Sequence, residues 1–240
     1  MRMNAWRIYQ SADVLSITYA SLTVMRTADR LRYVDGRPLT LSADPGKRVY
    51  GERLVNIEGL EYREWSPNRS KLSAYLCSGG ECFPFNEKSS VLYLGAASGT
   101  TASHISDVAV SGKVYCIEIS QRSFRDLVNV CESRKNMMPI LGDAAVPEGY
   151  GFAAENVDVV YQDVAQKGQA DMLADNMEHF SARYGMVAVK ARSEDVTARP
   201  ERIFEKAKER LAERGMKILD MRSLEPFEKA HAMIAVEAVR

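Results

Sequence analysis

Neither sign of charge is in excess, since 32 Lys and Arg face 32 Asp and Glu for a formal net charge of zero. This excludes the strongly basic chain expected of a protein that gathers nucleic acid by its own field. A polyanion partner must then be met by a local basic face or through another subunit. Cysteine is scarce too. Cys77, Cys82, Cys116 and Cys131 show no C-x-x-C spacing, which argues against a zinc ribbon or a redox dithiol and leaves reduced, structural thiols with no metal site. No run is apolar enough to span a bilayer, and Met1-Arg-Met-Asn-Ala-Trp-Arg7 lacks the apolar segment of a secretory signal. No membrane contact and a cytoplasmic, intracellular location are expected. What remains is a 240-residue chain with 46% apolar content, enough to bury the core of one medium α/β domain beside a small accessory one.

The first 64 residues carry β-like pieces such as Arg7-Ile-Tyr9 and Val14-Leu-Ser-Ile-Thr-Tyr19, with turn signals at Asp35-Gly36 and Asp44-Pro-Gly46. They predict a small antiparallel domain over 1–64. The pattern changes around Arg63 to Leu72, where Ser70 or a neighbour is placed to cap a short helix. Residues 65–240 then alternate. Strands are predicted at Val91–Leu94, Val114–Ile117, Met138–Leu141, Val157–Tyr161, Met186–Val189, Lys217–Met221 and Ala232–Ala238, with helices near Thr101–Asp107, Arg122–Glu132, Ala170–Phe180 and Arg199–Arg214. Five βα units followed by two closing strands make an α/β, Rossmann-like, mostly parallel sheet with helices on both faces. No helix follows Leu224-Glu-Pro226, so the last strand is expected to pair antiparallel, as a hairpin with its predecessor. Class I methyltransferase sheets close in this way.

Chemistry concentrates at Val91-Leu-Tyr-Leu-Gly-Ala-Ala-Ser-Gly-Thr-Thr101, where a buried strand breaks at Gly95 and Gly99 into a helix start. Such a junction bends tightly, admits a ligand where a Cβ would clash and offers unpaired N–H groups. A second strand, Val114-Tyr-Cys-Ile-Glu118, ends in a carboxylate about twenty residues on, where ribose hydroxyls are held in doubly wound folds. The turn by itself leaves NAD and S-adenosylmethionine (SAM) both open. Ala97 stands where the dinucleotide fingerprint needs its second glycine, which weakens NAD. Asp143, after Leu141-Gly142, and Asp163, after Gln162, add polar groups at further strand ends, suited to an adenine amino group and to the methionine end of SAM. For Thr100, Thr101 and either aspartate, helix capping is the plain alternative.

The segments Arg69-Ser-Lys-Leu72, Leu92 to Thr101, Tyr115-Cys-Ile-Glu118, Gly142-Asp-Ala144, Asp163-Val-Ala-Gln166, Val189-Lys-Ala191 and Leu224-Glu-Pro226 together resemble fibrillarin, in the short archaeal form without a glycine/arginine-rich arm. The likeness runs from Trp65 to Arg240 and more loosely over the N-terminal part. It implies a SAM-dependent RNA ribose 2′-O-methyltransferase, the catalytic subunit of box C/D guide ribonucleoprotein particles that modify rRNA and tRNA. It also implies guide RNA, a Nop-family scaffold protein and a kink-turn-binding ribosomal-type protein as partners. Cofactor contacts carried over by motif fall on Gly95, Ala96, Thr100, Thr101, Glu118, Ile119, Asp143, Ala144, Asp163, Val164, Ala165 and Gln166. The family's catalytic Lys-Asp-Lys-His set falls on Lys71, Asp163, Lys190 and His231. Two departures stand out. Ile119 replaces the usual aromatic residue after the ribose-binding acid, and Ala230 precedes His231 where the family has aspartate.

Transfer of a methyl group to a hydroxyl requires the oxygen to be aligned and its proton lost. Lys190 is expected to orient that oxygen and stabilise developing negative charge, with Asp163 beside it favouring the charged amine over a neutral base. Lys71 is expected to hold a phosphate or the same oxygen. His104 and His179 read as structural. Arg122, Arg125, Arg134, Lys135, Arg192 and Arg199 are local candidates for an RNA backbone, each with a solvated helix face as the alternative. The competing functions are a SAM methyltransferase acting on protein glutamine or a small molecule, separable by where labelled methyl goes, and an assembly factor without chemistry, against which the four catalytic-type residues argue. A dinucleotide oxidoreductase would bind NAD and not SAM.

Overall fold

Two sheets account for the strands of the computed structural model, which describes residues 30–239; the pieces Arg7–Tyr9 and Val14–Tyr19 lie outside them. The smaller sheet holds β1 (Leu31–Val34), β2 (Arg37–Leu41), β3 (Leu54–Ile57) and β4 (Leu60–Glu64) in the order β1-β2-β4-β3, all antiparallel. Its two hairpins turn at Asp35-Gly36 and Glu58-Gly59, where both residues of each pair have positive φ. That conformation matches the right-handed twist of the flanking strands.

The larger part runs α1 (Lys71–Cys77), β5 (Ser90–Leu94), α2 (Thr100–Val108), β6 (Lys113–Glu118), α3 (Gln121–Glu132) and β7 (Met137–Leu141). It continues with β8 (Val159–Gln162), α4 (Gln169–His179), β9 (Tyr184–Lys190), α5 (Ala191–Glu194), α6 (Pro200–Glu213), β10 (Met216–Ser223) and β11 (His231–Ala238). The seven strands lie in the order β10-β11-β9-β8-β5-β6-β7. β11 is antiparallel to both neighbours, and the pairings among β5 to β9 are parallel. The hairpin closure expected from the helix-free end is therefore present, with β11 inserted between β9 and β10. Four helices are expected for the five βα units, none of them between Leu141 and Val157, and the structure agrees there. Between β7 and β8 the described chain forms only a single 3-10 turn, Pro147–Gly149, and no α-helix. Gly142, Pro147, Gly149 and Gly151 crowd that connection, and each lowers helix propensity or removes an N–H.

Near-continuous apolar runs form these strands because both faces are covered. Alternate residues divide cleanly. Val91, Tyr93, Val114, Cys116, Met186, Ala188 and Met233 share one core with Leu72, Ala102, Ile105 and Leu127 of α1 to α3. Leu92, Leu94, Tyr115, Ile117, Val187, Val189 and Ile234 share the other with Leu173 of α4 and Ile203 and Leu211 of α6. Each fully buried Leu or Ile there contributes about 1.5–3 kcal/mol. All four cysteines are free thiols, as expected. No helix among the described residues is long and apolar enough to cross a membrane.

A buried polar network fastens the small sheet to the large one. Asp107 of α2 receives the Arg63 guanidinium of β4 at 2.6 Å and the Arg134 guanidinium at 2.7 Å, and none of these side chains is more than 2% exposed. Arg63 also meets Glu52 at 2.6 Å, and Thr40 donates to Asp107 at 2.8 Å. His104, one turn before Asp107, stacks on Trp65 with ring centroids 4.8 Å apart and bonds Thr40 and Tyr50 through its two ring nitrogens. It is structural, as the sequence suggested, and Arg134 is a core residue, which removes it from the RNA candidates.

Burial, with the Arg63 and Arg134 charges adding to it, pushes the His104 pKa well below the usual imidazole value. The folded chain refuses a proton that the unfolded chain accepts below pH about 6.5, so this contribution is complete above that pH and is lost as pH falls. Denaturant unfolding at pH 7 and 5.5 should show a stability drop that is smaller in His104→Gln by on the order of 1 kcal/mol.

Candidate functional site

The parallel strands end at one edge of the large sheet, where their terminal residues meet. After β5 the chain turns through Gly95 at φ +79. A Cβ built on Gly95 would lie 2.9 Å from the Asp163 carbonyl oxygen, so glycine is what lets the turn pass the end of β8. The left-handed Gly99 then starts α2 without any side-chain cap. Thr100 and Thr101 therefore do not cap the helix. Thr101 is buried and donates its hydroxyl to Ser70 Oγ at 2.9 Å. Ser70 in turn accepts from the Ser73 N–H as the N-cap of α1, whose first residue is Lys71. One hydroxyl thus couples the glycine turn to the start of the helix that carries Lys71.

Glu118, at the end of β6 and 8% exposed, accepts from the Ala97 N–H at 2.8 Å and the Ser120 N–H at 2.7 Å. Both oxygens keep a lone pair for further donors such as ribose hydroxyls. Beside it, Ile119 is 56% exposed and offers an open apolar surface. Gly142 N–H donates to the Glu118 carbonyl, which brings Asp143 and the buried Ala144 alongside. Asp143 accepts from the Ala145 N–H at 2.9 Å, closing a local turn. The Ala144 carbonyl is held by Asn176 Nδ2 at 2.9 Å. The residues expected at the cofactor thus stand at neighbouring strand ends along one edge of the sheet, with a backbone approach at Gly95, an acid, an apolar surface and the Asp163 to Gln166 segment. They fit a ligand with an amino acid end and an adenosine end.

At the end of β8, two cations share one anion. Lys71 Nζ stands 3.2 Å from Asp163 Oδ2, and Lys190 Nζ stands 2.8 Å from Asp163 Oδ1 while donating to the Asp163 carbonyl at 2.9 Å. The three side chains are 13–17% exposed, so these contacts are little screened. Two ammonium groups on one carboxylate leave a positive excess, and each lysine retains donors not used by Asp163. His231 opens β11 directly opposite Lys190 in the β9–β11 register, so the two side chains rise from the same face of the sheet. His231 Nδ1 lies 2.7 Å from the Lys229 carbonyl. A carbonyl only accepts, so Nδ1 carries the hydrogen and Nε2 keeps a lone pair. Burial lowers the His231 pKa, and Lys71 and Lys190 push it the same way despite the Lys229 carbonyl and Glu228. Ammonium donors and an imidazole nitrogen on one face are the groups that a hydroxyl or phosphate oxygen would need.

Lys71, Asp163, Lys190 and His231, spread over three-quarters of the described chain, are thus brought together. Arg122, Arg125, Lys135, Arg192 and Arg199 are exposed. Sequence reasoning passed over Ser70 as more than a cap, and it passed over Gln169, whose side chain bonds to the Lys190 backbone, and Glu194, which accepts from the Gln169 side chain. Their partners lie 21 or more positions away, so no local pattern marks them.

Comparison with known proteins places this geometry. Residues 28–240 match the family model described as Fibrillarin. A protein of Methanopyrus kandleri called fibrillarin-like rRNA/tRNA 2′-O-methyltransferase is 52% identical over 210 residues, 85% of this chain and 90% of that one. The crystal structure of Aeropyrum pernix fibrillarin in complex with natively bound S-adenosyl-L-methionine is 45% identical, with a TM-score of 0.77, over 83% of this chain and 88% of that one. The fibrillarin chain of a fibrillarin/Nop5p complex is 36% identical, with a TM-score of 0.81, over 89% of this chain and 99% of that one.

Two backbone positions at the site test the geometry. Ala230 is left-handed at φ +58, a conformation that strains any residue with a Cβ. Ala230→Gly should relieve that strain faster than it adds unfolded-state entropy, for a net gain of a few tenths to about 1 kcal/mol. Gly95→Ala should cost on the order of 1–3 kcal/mol for the reverse reason. Thermal melts of the two variants should move in opposite directions.

Proposed function

The chain belongs to the fibrillarin family, and from that premise and the site geometry we propose that it is the S-adenosylmethionine-dependent RNA ribose 2′-O-methyltransferase of a box C/D guide ribonucleoprotein, acting on rRNA and tRNA. The observation that carries the chemistry is the Lys71–Asp163–Lys190 arrangement with His231 beside it. SAM supplies an electrophilic methyl group when bound. Gly95, Ala96, Thr100 and Thr101 would form the turn that receives it, and Glu118 would hold its ribose hydroxyls. Ile119, Asp143 and Ala144 would serve its adenine, and the Asp163 to Gln166 segment its amino acid end.

At the acceptor side Lys190 directs a remaining N–H to the ribose 2′-oxygen. Both of its contacts are to acceptors, so it acts as a donor that stabilises negative charge and not as the base. Lys71 holds the same oxygen or the adjacent phosphate. Asp163 spaces the two ammonium groups and prevents them from repelling each other apart. His231, neutral with Nε2 unprotonated, accepts the hydroxyl proton. A Nop-family scaffold protein and a kink-turn-binding protein present the guide–target duplex. Their presence answers the zero net charge, because the basic surface that RNA requires is then shared among subunits.

In a particle reconstituted with guide RNA and both partners, Lys190→Ala should reduce ribose methylation on the order of 100- to 1000-fold. SAM affinity measured by calorimetry should stay near the parent value. Asp163→Ala should weaken both. Mapping of methylated riboses is the readout, and parental turnover by Lys190→Ala would sink the assignment. Methyl transfer to protein and not to RNA would revive the alternative substrate classes.

A further inference from the structure

The parallel ladder between β8 and β9 ends at the pair Gln162 and Val187. Lys190 lies three residues beyond it, at the last position of β9, and α5 starts at the next residue. On the β11 side its neighbour is His231. On the β8 side no strand remains to meet its N–H and C=O, and an unpaired strand end of this kind is free to fray. Gln169 fills the gap. Its Oε1 accepts from the Lys190 N–H at 2.9 Å, and its Nε2 donates to the Lys190 carbonyl at 3.2 Å. One primary amide thereby stands in for a strand residue.

The amide is itself fixed. Gln169 is 1% exposed. Its Nε2 also donates to Glu194 Oε1 at 3.0 Å, and its backbone N–H donates to the same oxygen at 2.8 Å. Glu194 Oε2 accepts from the Gly168 N–H at 3.1 Å, and Gln162 Nε2 donates to the Gln169 carbonyl at 2.8 Å. A flipped amide would set its oxygen against both a carbonyl and a carboxylate, so only one orientation is stable. Glu194 of α5 is the charged group in contact with it.

We propose that Gln169 is a positioning residue for methyl transfer, which acts by holding the Lys190 backbone and so the place of its ammonium group against Asp163. This rests on the reading of Lys190 as the residue that directs the 2′-oxygen. With the amide gone, Lys190 keeps its ion contact but loses the anchor from which the side chain springs. A displacement on the ångström scale at such a group costs on the order of 100-fold in rate.

The test uses the reconstituted particle, saturating SAM and a guide-matched RNA under single-turnover conditions. Gln169→Leu should slow transfer on the order of 10- to 100-fold, with SAM affinity by calorimetry and apparent affinity for the RNA each within about threefold of the parent. Gln169→Glu has the same shape. Its ionised carboxylate faces Glu194 and the Lys190 carbonyl, and it regains a donor only when protonated. Its rate relative to the parent should therefore rise as pH falls from 8 to 6, a trend that a loss of folding would not produce. Should Gln169→Leu fail to fold, that ratio decides, and a flat ratio overturns the proposal. Parental rates in both variants alongside a dead Lys190→Ala also overturn it and leave the reading of Lys190 intact. Parental rates in Lys190→Ala overturn the reading itself.

Discussion

A carboxylate sealed from water sets the frame of this molecule. Asp107 stands at the C-terminal end of α2, where the helix dipole disfavours an anion, and it is tolerated only because Arg63 and Arg134 converge on it. Replacement by well-packed apolar residues would match or exceed its stability, because desolvation offsets most of the Coulomb gain. What the ion cluster supplies is location. It ties β4, α2 and the segment after α3 to one point, so the small sheet cannot slide over the helix whose other end carries the glycine turn. Trp65 and His104 stack within the same contact, and Trp65 also accepts from the Ser73 hydroxyl of α1. From there the Ser70 and Thr101 hydroxyls carry the constraint to Lys71.

The proposed site divides along its chemistry. The donor side in that reading is made from the turn after β5, the ends of β6 and β7 and the segment after β8. Its acceptor side is long-range, with α1, β8, β9 and β11 each contributing one group. A single aspartate carbonyl and carboxylate lie at the boundary, touching the Gly95 turn on one side and both lysines on the other. This explains how a chain with no net charge presents a cationic subsite, since two lysines held by one carboxylate create a local excess without altering the total.

Much of this was legible beforehand. The alternation of apolar strands and amphipathic helices located the large sheet to within a residue or two at most boundaries, and the helix-free stretch before β11 disclosed the antiparallel closure. Paired strand-end motifs placed Gly95, Glu118, Asp143 and Asp163 at neighbouring strand ends, because each follows closely on an apolar strand run. Two things escaped. Arg134 is a core residue, since its partner Asp107 is 27 positions away and a basic residue near a helix end otherwise suggests solvent. Gln169 and Glu194 escaped for the same reason, as their work is done on backbone groups that carry no sequence signature.

The insertion of β11 between β9 and β10 has a consequence for the order in which the molecule assembles. The Gly95 turn closes against Asp163, 68 positions further on, and Lys190 gains its His231 neighbour only when a strand more than forty positions distant docks into the sheet. Contacts of such separation are made late. Both halves of the proposed site therefore wait on pairing between distant strands, and catalytic competence becomes a report that the whole sheet has closed.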